Sequence, residues 1–184
     1  MCALVLSCGL AGSLVPWAAA MQPGEDSVIN REYPLKALFL YNFGGYVEWP
    51  ADSFASPDAP FVIGVLGSAP IEQTLQELAA TKTIIDRKIV VQQFATAEQI
   101  GSCQILFVAR GVSAQQQRLA MEKLKHQHVL IVGETKGFAG KGGSVNFFIE
   151  SNKVRFEINP EAAKQHQLTI SSKLLSLAKI IQNN

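Results

Sequence analysis

The chain has 184 residues and a formal net charge of +1, from 16 lysines and arginines against 15 aspartates and glutamates. Charged residues make up 17% of it, which is below the share usual in a globular domain. This composition argues against an intrinsically disordered chain and against a protein that coats nucleic acid, because such a coat needs a basic stripe. We therefore expect a folded domain without a nucleic-acid partner.

The first 20 residues, MCALVLSCGLAGSLVPWAAA, carry no charge and end in three alanines. An apolar run followed by A-x-A is typical of a secretory signal peptide that is cleaved after Ala20. The alternative is a membrane anchor, for which the run is barely long enough and is diluted by Gly, Ser and Pro. We predict a signal peptide at 1–20, a flexible segment at 21–32 and one domain at 33–184, located in the periplasm.

Cleavage after Ala20 would remove Cys2 and Cys8, so that Cys103 stays as the one cysteine of the mature chain. A lone cysteine forms no internal disulfide, although it could bridge two chains. We favour a buried, apolar role for Cys103, because it begins the apolar stretch CQILFVA.

The first predicted helix is EYPLKALFLYNFGGYVEWP, with Pro34 in its first turn and Trp49-Pro50 at its end. Apolar residues recur at helical spacing on one side, and further apolar residues make the other side apolar too. Such a helix is buried on two sides or packs on a partner. We therefore expect Leu40, Tyr41 and Tyr46 to contribute to a subunit or partner contact, and we add Trp49 to the candidate binding residues.

Buried strands then alternate with helices. The predicted strands are FVIGVLG (61–67), KIVVQQF (88–94), CQILFVA (103–109) and HVLIVGE (128–134). The predicted helices are IEQTLQELAA (71–80), ATAEQIG (95–101), SAQQQRLAMEKLK (113–125), EAAKQHQ (161–167) and KLLSLAKII (173–181), the last capped by Ser171 or Ser172. The alternation predicts a three-layer, single-domain α/β fold with a mixed, mostly parallel sheet, a C-terminal antiparallel hairpin and flanking helices.

The hairpin is SVNFFIESNKVRFEIN, with a two-residue loop at Ser151-Asn152. Alternation puts Val145, Phe147, Ile149, Val154, Phe156 and Ile158 on a core face. The other face carries Asn146, Phe148, Arg155 and Glu157, which either hold the strand register through cross-strand pairs or bind a partner or ligand.

No motif indicates an active site. The stretch GFAGKGG lacks the Ser or Thr and the following helix of a phosphate-binding loop, and we interpret its glycines as flexible turn residues. His126 and His128 have no third ligand nearby in sequence, so we expect exposed histidines at a strand start and no metal site. We predict no catalytic residue, because neither a nucleophile elbow nor a base beside Cys103 is evident.

Four stretches follow in a fixed order: LKALFLYNFGGYVEWP, FVIGVLG, GGSVNFFIESNKVRFEIN and LTISSKLLSLAKII. In that order and at these spacings they resemble the YfiR-like family of small exported bacterial proteins. The resemblance covers residues 33–181, nearly the whole mature chain. It implies an α/β fold and a non-enzymatic periplasmic regulator without a cofactor.

The best-known member of that family represses an inner-membrane diguanylate cyclase by binding its periplasmic sensor region, and an outer-membrane lipoprotein sequesters the repressor. Dimers occur in the family, and members also accompany other membrane sensors. The resemblance therefore implies a diguanylate cyclase or another membrane sensor as partner, an outer-membrane lipoprotein as a second partner, and a homodimer. The best-known member also has redox-linked cysteine pairs, from which this chain departs because only Cys103 would remain after processing.

The alternative hypothesis is a periplasmic small-molecule-binding module that works with a membrane receptor or sensor kinase. In α/β sheets, ligands bind beyond the carboxyl ends of the strands. Gly67-Ser68 and Ala109-Arg110-Gly111 follow predicted strands and would lie there.

Overall fold

The structure is a computed structural model that describes residues 26–182, with side chains described from residue 31 onward. The helices are α1 (Asp26–Tyr46), α2 (Ile71–Thr81), α3 (Ala114–Leu124), α4 (Pro160–Gln165) and α5 (Ser172–Leu175). The strands are β1 (Val47–Glu48), β2 (Phe61–Leu66), β3 (Thr83–Ile84), β4 (Arg87–Phe94), β5 (Ile105–Val108), β6 (Leu130–Gly133), β7 (Val145–Glu150), β8 (Lys153–Ile158), β9 (Thr169–Ile170) and β10 (Lys179–Ile180). The predicted signal peptide lies outside the described residues.

Eight of these strands form one sheet in the order β10-β8-β7-β6-β5-β2-β4-β3, and β1 pairs with β9 in a small antiparallel sheet. Strands β2, β4, β5, β6 and β7 are parallel to one another, while β8 runs antiparallel to β7 and β3 antiparallel to β4. The predicted fold class is confirmed. Because β4 and β5 flank β2 on opposite sides, the carboxyl ends of β2 and β5 form a topological switch point.

Two hydrophobic cores lie on the two faces of the sheet. One face packs against α1 and α2 through residues such as Phe61, Phe107 and Val132, and the other packs against α3 through Leu106 and Ile131. All residues of β5 and β6 are buried, as expected for central strands covered on both faces. Aromatic rings join α1 to the hairpin in the first core, with ring centroids 5.2 to 6.2 Å apart among Phe39, Phe43, Phe147 and Phe156.

The hairpin has the predicted register, with Asn146 opposite Glu157 and Phe148 opposite Arg155. Ser151 and Asn152 form its turn at φ of 48° and 61°, the left-handed conformation that a tight two-residue hairpin loop uses. The core face is buried only near the sheet centre. Ile149 is 44% exposed at the hairpin tip, where the prediction of a core position was wrong.

Helix α1 differs from the prediction at both ends. Residues 26–32, which we expected to be loose, are helical, and Pro34 lies inside the helix rather than in its first turn. Glu32, in this part of the helix, forms ion pairs with Lys36 on α1 itself and with Arg110, which follows β5. The helix ends at Tyr46 rather than at Trp49, because the next two residues pair with β9.

The C-terminal helix is also shorter than predicted. Ser171 is the N-cap of α5, with its Oγ accepting from the backbone N–H of Leu174 at 3.3 Å, but the helix ends at Leu175. Lys179 and Ile180 then pair with β8, since the edge of that strand offers unpaired backbone groups. The predicted helix at ATAEQIG is a single 3-10 turn, Ala97–Gln99.

The glycine-rich loop is packed around one aromatic ring. Phe138 is 1% exposed, and a Cβ added to Gly133 or to Gly143 would overlap its ring carbons. Gly142 has a φ of 107°, which favours glycine. The interpretation of these glycines as flexible turn residues is therefore wrong for Gly143, whose role is close packing.

Between residues 26 and 182, no helix has both the length and the apolar composition needed to cross a bilayer.

Candidate functional site

A buried ion pair joins α1 to the carboxyl end of β6. The Nζ of Lys36 contacts the carboxylates of both Glu32 and Glu134. The side chains of Lys36 and Glu134 are each 1% exposed. Charges are rarely buried to this degree unless they are paired, because desolvation penalises each ion. The pair therefore fixes the first turns of α1 against the end of the sheet.

Arg110 completes this cluster from the end of β5, where the sequence predicted a ligand-facing segment. Its backbone N–H donates to Glu134 Oε1 at 2.9 Å. Its Nη2 lies 3.1 Å from Glu32 Oε1 and 3.6 Å from Glu134 Oε2. The Arg110 side chain is nevertheless 58% exposed, so its guanidinium is held in position while facing solvent.

Tyr33 lies beside the same cluster. Its hydroxyl is 3.5 Å from Glu134 Oε1, to which it donates, and the Nζ of Lys36 lies 4.8 Å from the centroid of its ring. Burial raises the pKa of Tyr33, and the negative charge of Glu134 raises it further. Tyr33 therefore stays protonated and serves as a hydrogen-bond donor.

A cavity of about 550 Å³ opens beside the cluster at the carboxyl ends of β5 and β6. Its lining comes from α1, the segments that follow β5 and β6, and the hairpin. The lining residues are Glu32, Lys36, Arg110, Glu134, Lys136, Gly137, Asn146, Phe147, Phe148, Ile149 and Glu157. Gly67 and Ser68, the other segment predicted at this edge, do not line it.

Three of the four hairpin residues on the second face contribute to this cavity. Asn146 is only 2% exposed, so it lies in the wall of the cavity and not on the open surface of the hairpin. Its Nδ2 donates to Glu157 Oε1 at 3.0 Å, while its Oδ1 is buried without a partner among the described residues. The alternation pattern alone could not reveal this burial, because it shows which face a side chain is on and not how deeply that face is covered.

Arg155, the fourth residue, lines an adjoining groove of about 400 Å³ between the start of α1 and the hairpin tip, which shares Glu32 and Ile149 with the cavity. Leu35 and Ile149, which are 38% and 44% exposed, give the groove apolar walls. Arg31, Lys153 and Arg155 surround them, and none of the three forms an ion pair with a described residue. The groove is therefore apolar inside and basic at its rim.

Arg155 lies opposite Phe148 in register, but its guanidinium does not stack on that ring in the described part of the chain. Glu150 and Lys153 are opposite in register but lie beyond ion-pair distance. Register therefore does not depend on these side-chain pairs, and the second face of the hairpin divides between the cavity and the groove.

Tyr41, Tyr46 and Trp49 lie toward the other end of α1. The two tyrosines are half-buried and line a small cavity with Ile85. The indole N–H of Trp49 donates to the Gly44 carbonyl oxygen at 2.9 Å, so its polar group is satisfied inside the protein. No cavity described in residues 26–182 is lined by both this set and the hairpin residues.

Leu40, which we expected in the same contact, is fully buried in the core. The prediction that Leu40 contributes to a partner contact was wrong, because the sheet covers this side of α1.

His126 is exposed, as predicted, whereas His128 is partly buried. His128 places Nε2 3.2 Å from Asp52 Oδ1 and Nδ1 3.2 Å from the His166 carbonyl oxygen. His166 is itself buried, with Nδ1 2.9 Å from the Gln127 carbonyl oxygen, and its burial lowers its pKa. Among the described residues, no group of three or more His, Cys, Asp or Glu side chains is placed to hold a metal ion.

Cys103 is 3% exposed, which confirms its buried position. Burial raises the pKa of its thiol to about 12. A thiol with so high a pKa carries almost no thiolate at neutral pH, which is the form that attacks electrophiles.

Sequence reasoning missed Glu32, Lys36 and Glu134. The available signals were a lysine inside an apolar helix and a glutamate directly after a buried strand. Neither signal identifies the partner of that residue, because Lys36 and Glu134 are 98 positions apart in the sequence.

Residues 33–179 match a family model described as YfiR/HmsC-like. The matched region begins in α1 and ends in β10, so it includes the hairpin and, apart from Glu32, the charged cluster and the cavity lining. No curated protein matches the chain.

Proposed function

Because the chain belongs to the YfiR/HmsC-like family, we propose that it binds the periplasmic sensor region of an inner-membrane diguanylate cyclase and represses that enzyme. Members of the family are periplasmic, non-enzymatic regulators of cyclic-di-GMP signalling. The choice of a cyclase as partner and the repressing direction are our inference, together with sequestration by an outer-membrane lipoprotein.

The groove between α1 and the hairpin tip is the observation that supports a docking role best. Leu35 and Ile149 are exposed there, and Leu38 is 44% exposed one helical turn after Leu35. Apolar side chains that cluster in one place on a protein surface are typical of a protein–protein contact. Arginine is enriched at the positions that dominate binding energy, and Arg155 lines this groove.

The charges around the groove indicate what kind of segment would fit. Arg31, Lys153 and Arg155 add positive charge without ion-pair partners among the described residues, whereas Glu32 is engaged by Lys36 and Arg110. A complementary partner segment is therefore apolar with acidic flanks, because opposite potentials across an interface speed encounter and fix the register.

The test is a pull-down from solubilised inner membranes with residues 21–184 as bait, followed by affinity measurement on the captured sensor region. Arg155→Glu should weaken the complex by at least ~2 kcal/mol, the size of a hot-spot loss. Its own stability should change by less than ~0.5 kcal/mol, because Arg155 is exposed and unpaired. Arg118→Glu is the matched control, an exposed arginine on α3 without an ion-pair partner in residues 31–182.

Equal binding by the Arg155→Glu and Arg118→Glu variants would remove the groove from the interface. The repressing direction needs a second measurement, intracellular cyclic-di-GMP in cells that lack the gene. We expect the level to rise, and a fall would show an activator instead.

A further inference from the structure

We propose that the cavity at the carboxyl ends of β5 and β6 binds a small organic monoanion, a carboxylate that also carries a hydroxyl group and an apolar body. The cavity adjoins the docking groove and shares Glu32 and Ile149 with it, but Arg110, Lys136 and Asn146 line the cavity alone. The proposal does not depend on the partner described above.

The cavity has the position and the construction of a ligand site. It lies beyond the carboxyl ends of adjacent parallel strands, next to the switch point, where open α/β sheets bind small molecules. Its volume of about 550 Å³ falls in the range of small-molecule pockets. Apolar walls come from Phe147, Phe148 and Ile149, and the polar groups are few and converge from other elements.

Two cations in the lining have capacity to bind an anion. Arg110 uses Nη2 for its contacts to Glu32 and Glu134, which leaves Nε and Nη1 without a side-chain partner in the described chain. Two carboxylates fix the guanidinium, so little rotamer freedom would be lost on binding. Lys136 is exposed and makes no ion pair with a described residue. A guanidinium beside an ammonium recognises a carboxylate through charge-assisted hydrogen bonds.

The charge balance selects a monoanion. The lining holds three cations, Lys36, Arg110 and Lys136, against three carboxylates, Glu32, Glu134 and Glu157. Lys36 is fully engaged by the first two carboxylates, and Glu157 lies across the cavity on the hairpin. A ligand with several negative charges would meet repulsion from these carboxylates, whereas a single carboxylate needs only the available donors of Arg110 and Lys136.

Asn146 supplies the reason for a hydroxyl group. Its Nδ2 is committed to Glu157, so the amide orientation is fixed and Oδ1 is the atom left without a donor in the described residues. A buried acceptor without a hydrogen bond is destabilising, and such a group in a native protein calls for an explanation. Asn146 lines the cavity, but its Oδ1 is closed to solvent when the cavity is empty. A ligand hydroxyl would therefore give Oδ1 its donor once the lining side chains shift on binding, and the Phe148 and Ile149 walls would contact the apolar body.

Mandelate and phenylacetate form a matched pair of probes, since both carry a phenyl ring and a carboxylate and only mandelate has the hydroxyl. The experiment titrates residues 21–184, labelled with ¹⁵N, with each probe and with inorganic phosphate. We expect mandelate to shift the side-chain amide signals of Asn146 and the backbone signal of Arg110. Phenylacetate should bind at least about tenfold more weakly, because it cannot complete the hydrogen bond.

Variants locate the site. Arg110→Gln and Lys136→Gln should each weaken mandelate binding by about tenfold or more. Lys136 is exposed and unpaired, so its variant folds even if Arg110→Gln perturbs the cluster. Lys141→Gln is the control, because Lys141 is an exposed lysine of the same loop that does not line this cavity.

The proposal is overturned if no probe binds in the millimolar range, or if phenylacetate binds as well as mandelate. It is also overturned if Lys141→Gln weakens binding as much as Lys136→Gln, or if phosphate binds more tightly than mandelate. None of these results bears on capture of the membrane partner, which is measured separately.

Discussion

Lys36 and Glu134 lie 98 residues apart in the sequence and form an ion pair in which both side chains are 1% exposed. The pair joins α1 to the end of β6, and Glu134 also accepts the backbone N–H of Arg110 at 2.9 Å. Replacing buried ion pairs by apolar residues is often neutral or stabilising, so burial of this pair suggests a positioning role. It holds Arg110 at the cavity and keeps the start of α1 beside the hairpin tip.

Lys36→Met should lower the free energy of unfolding by about 3 kcal/mol, because it leaves the buried Glu134 carboxylate without its ammonium partner. Urea unfolding measures the change. Lys164→Met is the control, since Lys164 pairs with Glu161 at 2.7 Å but the two side chains are 68% and 59% exposed. Loss of an exposed pair should change stability by less than ~1 kcal/mol. Similar losses in both variants would contradict the buried-pair account.

Tyr41→Asp should weaken self-association or partner binding while the monomer stays folded. Tyr41 and Tyr46 are half-buried beside Ile85, which is 45% exposed, so an apolar surface is available at this end of α1. Analytical ultracentrifugation measures association, and circular dichroism reports folding. An unfolded variant would assign Tyr41 to the core, and unchanged association would remove this surface from the contact.

Cys103 should react with a thiol reagent only after the protein unfolds. Burial raises its pKa to about 12, and the reagent needs the thiolate. For residues 21–184, the melting temperature should also be the same with and without dithiothreitol, because Cys103 would have no internal partner. Fast labelling of the folded protein, or a lower melting temperature in reductant, would show an accessible or bridged cysteine.

The pH dependence of stability should contain a contribution from His166. Burial lowers its folded-state pKa below the ordinary 6.5, with His128 lowering it further. Below pH 6.5 the unfolded state therefore binds more protons, and stability falls as the pH drops from there to the folded-state pKa. The slope reaches at most about 1.4 kcal/mol per pH unit for one histidine.

His166→Gln should flatten this part of the profile, and urea unfolding at a series of pH values between about 7.5 and 5 measures it. His126→Gln, at an exposed position in the same region, is the comparison. A profile that keeps its slope in the His166→Gln variant would place the titrating group elsewhere.

Gly143→Ala should destabilise the protein by about 2 kcal/mol, because the added methyl group would overlap the buried Phe138 ring. Gly140→Ala in the same loop has no atom within 4 Å of the added methyl group, so it should be neutral or slightly stabilising. Thermal unfolding of the two variants separates close packing from loop flexibility. Equal effects would favour flexibility.

Much of the fold was predictable because its signals are local. Alternation along the hairpin and the turn at Ser151-Asn152 were sufficient to predict the register, since a slip of one residue would expose the core face. Continuous apolar stretches predicted the central strands, and Ser171 caps α5, as one of the two predicted alternatives.

Short elements and the candidate site were decided by tertiary structure. Strands β1, β3, β9 and β10 have two residues each, too few for any periodicity, and form because a neighbouring strand offers backbone partners. Asn146 and Arg155 share one face of the hairpin by sequence, yet one is buried and the other exposed. Glu32, Lys36, Arg110 and Glu134 meet only when α1 packs across the ends of β5 and β6. Sequence patterns record the period of each element, whereas burial and charge pairing depend on which distant segments that element contacts.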